Sequence, residues 1–370
     1  MDKKRIIVIC NSFWPDVSPR SFRATELVRE FARQGHDVTV FKPNTSEQQH
    51  KFASDNNFNI SDIGTFSKAP LMHSNGRLAK LIGRYVNRFA QLLFEYPDIK
   101  LYSLVKNAIR KNNTDFDLCI SIAVPYPIHW GTAAGLAKNK ITKKWIADCG
   151  DPFMGDESDS FKHPFYFKYI ENWFCRKTDW LTVPTDNSYS GYYKEFWNKI
   201  RVIPQGFNFK EVKIANKKHD YGCPTFGYAG GVIPNYREPF DFLNYLCEIE
   251  YDFKFVVYTK YPKYFEKYKA KLGNKIVINS IAERLNVLYE FSTFDFVVNF
   301  DNKGSKQVAS KLIDYYIIQK PILNIPFRSF NANIFNEFMK ENYENAFKIK
   351  NPDQYKIENV ATKFLEIASV

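Results

Sequence analysis

The feature that most restricts what this chain can become is a recurrence of short β-branched runs, each followed by a helical segment. In the first half these are RIIVIC (5–10), DVTVFKP (37–43), DLCISIA (117–123), KKWIADC (143–149), WLTVPT (180–185) and RVIPQG (201–206). Unbroken apolar runs suit strands buried on both faces, so the pattern predicts a parallel sheet with helices on either side. From Asn208 to Cys223 the chain turns lysine-rich and loses its period, which marks a linker. The alternation then starts again with TFGYAGG (225–231), FKFVVYTK (253–260), KIVINS, FDFVVNF and PILNI (321–325). With 370 residues there is length for two well-buried domains. The expected fold is α/β, with two doubly wound, Rossmann-like domains over 1–205 and 206–350. A polar, partly helical tail, 351–370, is placed to pack back on the N-terminal domain.

The first unit shows its punctuation clearly. Ser18 can cap a helix with Pro19 at its first position, Ala24, Leu27, Val28 and Phe31 form the buried stripe, and Gly35 closes it. Residues 5 to 43 are then one right-handed βαβ unit, whose first loop lies at the carboxyl edge of the sheet, where such folds bind ligands. Residues 44 to 66 show no clear element.

A formal net charge of +12 calls for an anionic partner: nucleotide, phospholipid surface or nucleic acid. Basic residues concentrate between 66 and 111. Over 77–94, Leu78, Leu81, Ile82, Tyr85, Phe89, Leu92 and Leu93 share one helical face, and Arg77, Lys80, Arg84 and Arg88 line another. Two readings remain open, a core helix with a solvated basic side and a surface that meets anionic lipid headgroups. Six scattered cysteines without CxxC or His at zinc-site spacing read as reduced thiols of a cytoplasmic protein, with no metal expected. The short N-terminal apolar run is a first strand rather than a signal peptide, and no run of 18 apolar residues offers a membrane span.

Chemistry concentrates in two places. In QVASKLIDYYIIQKPILNI (307–325), Ser310 can open a helix with Leu312, Ile313, Tyr316 and Ile317 facing the core, and Pro321 ends it. Free amides, helix dipole and the Lys311 charge favour a phosphate at its start. Asp314, one turn on, can accept from the vicinal hydroxyls of a ribose. Gly230 and Gly231, after the first strand of the second half, let backbone approach a phosphate, without the GxGxxG or Walker spacing. In the first half His129, Asp148 and Asp151 converge on one carboxyl edge and form the candidate acid/base cluster.

SKLIDYYIIQKPIL, FGYAGG, VIPQGFN, WIADCGDPF and the unit SFWPDVSPRSFRATELVREFARQGHDVTVFKP together resemble family 4, the retaining nucleotide-sugar glycosyltransferases, over nearly the full length. The resemblance implies a GT-B fold with its domains facing across a cleft. It also implies sugar transfer from a nucleoside diphosphate, with Ser310 and Lys311 at the diphosphate and Asp314 at the ribose. The acceptor, a glycan or a lipid-linked sugar of surface-polysaccharide assembly, would lie at the N-domain, in the cytoplasm or at the inner face of the membrane. Departures are equally plain. Lys306 stands where the family often has a second acidic residue. Gly231 replaces a family Arg, so that Arg237, with Lys260, carries the diphosphate charge. The glycine pair often found in the first N-terminal loop is absent. An inactive GT-B binding protein, a GT-B epimerase and a basic nucleic-acid binder stay as alternatives, although no RNA- or DNA-binding motif occurs and no nucleic acid is expected. The donor is a substrate, and no cofactor is implied.

Overall fold

In the computed structural model, which describes residues 2–72, 76–150, 152–155, 162–217, 221–303 and 310–370, the apolar runs form two all-parallel sheets. The first unit comprises residues 1–207 and 354–370, and the second comprises 208–353.

In the first unit β1 (Arg5–Ile9), α1 (Pro19–Arg33) and β2 (Asp37–Lys42) make the expected βαβ unit. The Ser18 hydroxyl accepts from the Ser21 N–H at 3.1 Å, and Gly35 takes a positive φ of 87° just beyond the helix. Residues 44–66 are ordered into α2 (Glu47–Asp55) and β3 (Asn59–Asp62), contrary to the expectation of no element. Ser46 and Gln49 bond each other's backbone N–H groups, a capping box that stands in the sequence as SEQQ. Then come α3 (Arg77–Phe94), α4 (Lys100–Lys111), β4 (Phe116–Ile122), α5 (Pro127–Leu136), β5 (Thr142–Asp148), α6 (Phe167–Lys177), β6 (Trp180–Val183) and β7 (Ile200–Val202). Strand order is β3-β2-β1-β4-β5-β6-β7. Side chains of β1 alternate between two cores. Ile6 and Val8 join the α1 layer, and Ile7 and Ile9 join the layer of α4, α5 and α6.

The second unit carries β8 (Thr225–Ala229), α7 (Phe240–Leu246), β9 (Lys254–Tyr258), α8 (Lys263–Leu272), β10 (Ile276–Asn279), α9 (Arg284–Phe291), β11 (Phe296–Phe300), α10 (Ser310–Ile317), β12 (Ile322–Ile325) and α11 (Ala332–Met339). Its order is β10-β9-β8-β11-β12. Its core is built largely on phenylalanine, with the Phe226 ring stacked on Phe296 and Phe255 at 4.8 and 5.1 Å between centroids.

The remaining helix, α12 (Ile357–Ser369), belongs to the first unit. Ile357, Val360, Ala361, Phe364 and Leu365 complete the α1 layer. Phe207 donates its N–H to the Tyr355 carbonyl and accepts from the Ile357 N–H, at 2.8 and 2.9 Å, and so fastens the returning chain.

One amphipathic helix departs from the core reading. Among the described positions of α3 the buried ones are Gly83 and Ala90, whereas Leu81, Ile82, Tyr85, Phe89, Leu93 and Phe94 are 37–64% exposed.

Candidate functional site

Each sheet reverses its strand order once, between β1 and β4 and between β8 and β11. Crevices beyond the carboxyl ends of such strands are where open α/β sheets hold ligands. In the second unit the loops after β8 and β11 bring Gly230, Gly231, Arg237, Asp301 and Asn302 to this place, and α10 begins beside them.

Lys311 is the centre of it. Its Nζ lies 4.6 Å above the centroid of the Tyr228 ring, buried and with no hydrogen-bond partner among the described residues. Burial, and next the Arg237 charge, hold the ammonium well below its ordinary range, while Asp301 pulls the other way. Arg237 donates from Nε to the Asn302 amide oxygen at 2.8 Å. Asp301 is occupied by the amides of Asn299 and Asn324, at 2.9 and 2.7 Å. Two basic side chains, Lys311 and Arg237, therefore stand together with one carboxylate already engaged, an arrangement that an anion would complete.

The glycine pair acts differently from the phosphate cradle expected of it. Gly230 gives its N–H to the Tyr258 carbonyl, and a Cβ there would lie 2.7 Å from the Tyr228 hydroxyl. That hydroxyl donates to the Gly231 carbonyl at 2.9 Å. Gly230 thus makes room for Tyr228, which in turn supports Lys311. Lys260 is exposed just after β9, next to Tyr261, whose ring borders Gly231.

Along α10, Leu312, Ile313 and Ile317 are buried as expected, but Tyr316 is 39% exposed and Tyr315 takes the core position. The Tyr315 hydroxyl accepts the Ala229 N–H at 3.0 Å, which ties α10 to the end of β8. Asp314 receives Arg284 through Nε at 3.0 Å, with both guanidinium bonds falling on Oδ1. Burial raises its pKa, and Arg284 opposes the rise. The side chain of Ser310 lies outside the described residues, as do Lys306 and Asp151.

In the first unit His129 and Asp148 do reach one sheet edge, yet neither is placed to exchange protons with a substrate. The His129 ring is fully buried, stacked on Phe174, with Nδ1 2.8 Å from the Ser121 hydroxyl and Nε2 3.5 Å from the Cys149 sulfur. Trp145 Nε1 donates to the Ser121 oxygen, so the Ser121 hydroxyl can donate a hydrogen bond to Nδ1, and Nε2–H then points at Cys149, whose thiol faces the Ala147 carbonyl. The series from Trp145 through Ser121 and His129 to Cys149 is thus complete with a neutral imidazole. Burial lowers the His129 pKa to about 3, with Asp148 raising and Arg20 lowering it further.

Asp148 is buried and bound by Arg23 on both oxygens, at 2.8 and 3.0 Å, and by the Thr182 hydroxyl at 2.7 Å. Burial pushes its pKa up, but Arg23, Arg20 and Thr182 outweigh that and hold it below the carboxylate range. Arg23 also donates to the carbonyls of Ile203 and Pro204 and lies over the Phe364 ring at 5.1 Å. The expected acid/base pair is, in this geometry, a structural ion pair and a core histidine.

Residues that sequence reasoning passed over carry much of this. Arg23 falls on the same stripe as Leu27, and a charge there announces a buried partner. Arg284, Asn299 and Asn324 left no such sign. Arg20, in the first turn of α1, lies against Gly150, where a Cβ would meet its guanidinium at 2.1 Å. Glu171, raised to about 7 by burial, accepts the Met154 N–H at 3.3 Å and fastens the loop after β5.

Two all-parallel Rossmann-like units in one chain, with the C-terminal helix returned to the first, define the GT-B fold. No protein-family model matches the chain, and no curated protein matches its sequence. Solved structures do match along its whole length. A glycosyltransferase from Rickettsia africae ESF-5 is 13% identical, with a TM-score of 0.62 over 100% of this chain and 98% of that one. Anabaena HepE, in complex with UDP-glucose, is 9% identical with a TM-score of 0.60 over 99% of both chains. The lipopolysaccharide outer core galactosyltransferase WaaB is 10% identical with a TM-score of 0.58 over 98% of both. At such identities the likeness establishes the fold.

Proposed function

We propose that the chain transfers a sugar from a nucleoside-diphosphate sugar to a glycan or lipid-linked acceptor, as surface-polysaccharide assembly requires. The observation that carries this reading is the buried Lys311 Nζ, without a hydrogen-bond partner among the described residues, beside Arg237 at the start of α10. A diphosphate there gains two cations, the helix dipole and free amides, and these offset the charge that develops as the sugar leaves. No metal is needed for that offset. Asp314, with Oδ1 given to Arg284, keeps Oδ2 for the ribose. The UDP-glucose bound to HepE and the lipopolysaccharide substrate in the name of WaaB support the donor and acceptor classes. Retention of configuration rests on the resemblance to family 4.

Calorimetric titration of UDP and GDP against inorganic phosphate tests the donor site. Asp314→Ala should weaken the nucleotide about tenfold and phosphate hardly at all, since only the ribose loses its acceptor. Lys311→Met should weaken both. Because an anion raises the depressed Lys311 pKa, wild-type binding should take up a proton, and affinity should fall as pH rises through the window between the free and bound values. Turnover of a nucleotide sugar should persist in EDTA. Absence of binding by any nucleoside diphosphate would remove the reading, and binding without turnover on any acceptor would leave a binding protein.

A further inference from the structure

Among the described residues nothing covers the apolar face of α3, and its chemistry specifies a partner. The helix presses two small residues, Gly83 and Ala90, against the first unit and turns Leu81, Ile82, Tyr85 and Phe89 outward. At 3.6 residues per turn Lys80, Arg84 and Arg88 form a single band along one border of that face. No acidic residue occurs between Arg77 and Phe94. The arrangement is anchored rather than loose. The Asn87 amide bonds both the N–H and the carbonyl of Met72, at 3.1 and 3.2 Å, and the Tyr166 hydroxyl donates to the Leu93 carbonyl. Those contacts place further exposed apolar side chains beside the helix, with Leu71 and Met72 in one direction and Phe165 and Tyr169 in the other. A soluble monomer seldom exposes so many large apolar residues together.

We propose that α3, with residues 71–72 and 165–169, the latter at the start of α6, is the surface by which this protein lies on an anionic lipid bilayer. Lys80 and Arg84 meet the headgroups, and Leu81, Tyr85 and Phe89 enter the headgroup–acyl boundary. A second copy of the chain would present the same positive border to itself, so charge favours lipid over self-association. The surface owes nothing to the nucleotide site and is measured without donor or acceptor. Failure of either reading therefore leaves the other standing.

Flotation of the full chain with vesicles of phosphatidylcholine and phosphatidylglycerol, against phosphatidylcholine alone, is the test. Wild type should float with the anionic vesicles at low salt and less so as salt screens the headgroups. Lys80→Glu with Arg84→Glu should lower partitioning about thirtyfold or more. Tyr85→Ser with Phe89→Ser should lower it even at low salt, since insertion is lost while charge remains. All four positions are at the surface, so circular dichroism of the variants should match wild type. The proposal is overturned if wild type does not float at low salt. It is equally overturned if both variants float as wild type does, or if wild type is a dimer that Tyr85→Ser with Phe89→Ser dissociates.

Discussion

His129 and Asp148 are both buried polar residues of the first unit, and they answer to acid in different pH ranges. Burial drops His129 from an ordinary 6.5 to about 3. Between those values the unfolded chain binds a proton that the folded chain refuses. The contribution of His129 to stability is therefore full above pH 6.5 and declines as pH falls toward 3, by about 1.4 kcal/mol per unit, or roughly 2 kcal/mol at pH 5. His129→Gln should be less stable at neutral pH but show a shallower decline between pH 6.5 and 4 in urea unfolding. Equal slopes for the two proteins would count against a neutral buried imidazole. Asp148, depressed chiefly by Arg23, adds nothing between pH 6.5 and 4, because its contribution is lost only as pH falls below the normal carboxylate value.

At the scale of elements, α4 and α5 show how much depends on glycine. A Cβ on Gly131 would lie 2.7 Å from the Tyr102 carbonyl oxygen and 2.9 Å from the Val105 Cβ. Helix propensity favours Gly131→Ala by about 1 kcal/mol, but forcing two backbones apart costs about 1–3 kcal/mol, so the variant should melt lower despite the better helix former. A melting temperature at or above wild type would mean that α4 gives way freely. Helix α3 marks the limit of what periodicity tells. Its amphipathic face was legible from 77 to 94, but a moment says only that two faces differ, and the face that met the protein was the narrow one of Gly83 and Ala90. With α2 the signal was there and was too local to register, a capping box of two residues, Ser46 and Gln49, before a helix with little apolar character.

For the whole molecule, the strands were legible because parallel strands buried on both faces are written as unbroken apolar runs. The site was legible in part. Lys311 and Asp314 were found from their place at a helix start, whereas Arg284, Asn299 and Asn324 come from separate elements and meet only through the fold. The same limit explains His129 and Asp148. Sequence put them on one edge, and burial, which depends on Arg23, Phe174 and Trp145 from other elements, took them out of reach. The tail read as polar because its apolar residues are few, yet Phe364 is wholly buried against α1 and under Arg23. Phe364→Ala should cost about 3–5 kcal/mol and raise hydrogen exchange in residues 5–33 while leaving β8–β12 unchanged. Uniform exchange across both units would refute a first unit closed by α12. That closure also bears on how the protein is made. On the ribosome the first unit must wait for the whole of 208–353 to be synthesised before its last helix exists, about 7–30 s at bacterial and eukaryotic elongation rates. During that interval the groove on α1 that receives Phe364 stands open on the nascent chain, a natural station for a chaperone, while the uninterrupted second unit is free to fold as it emerges.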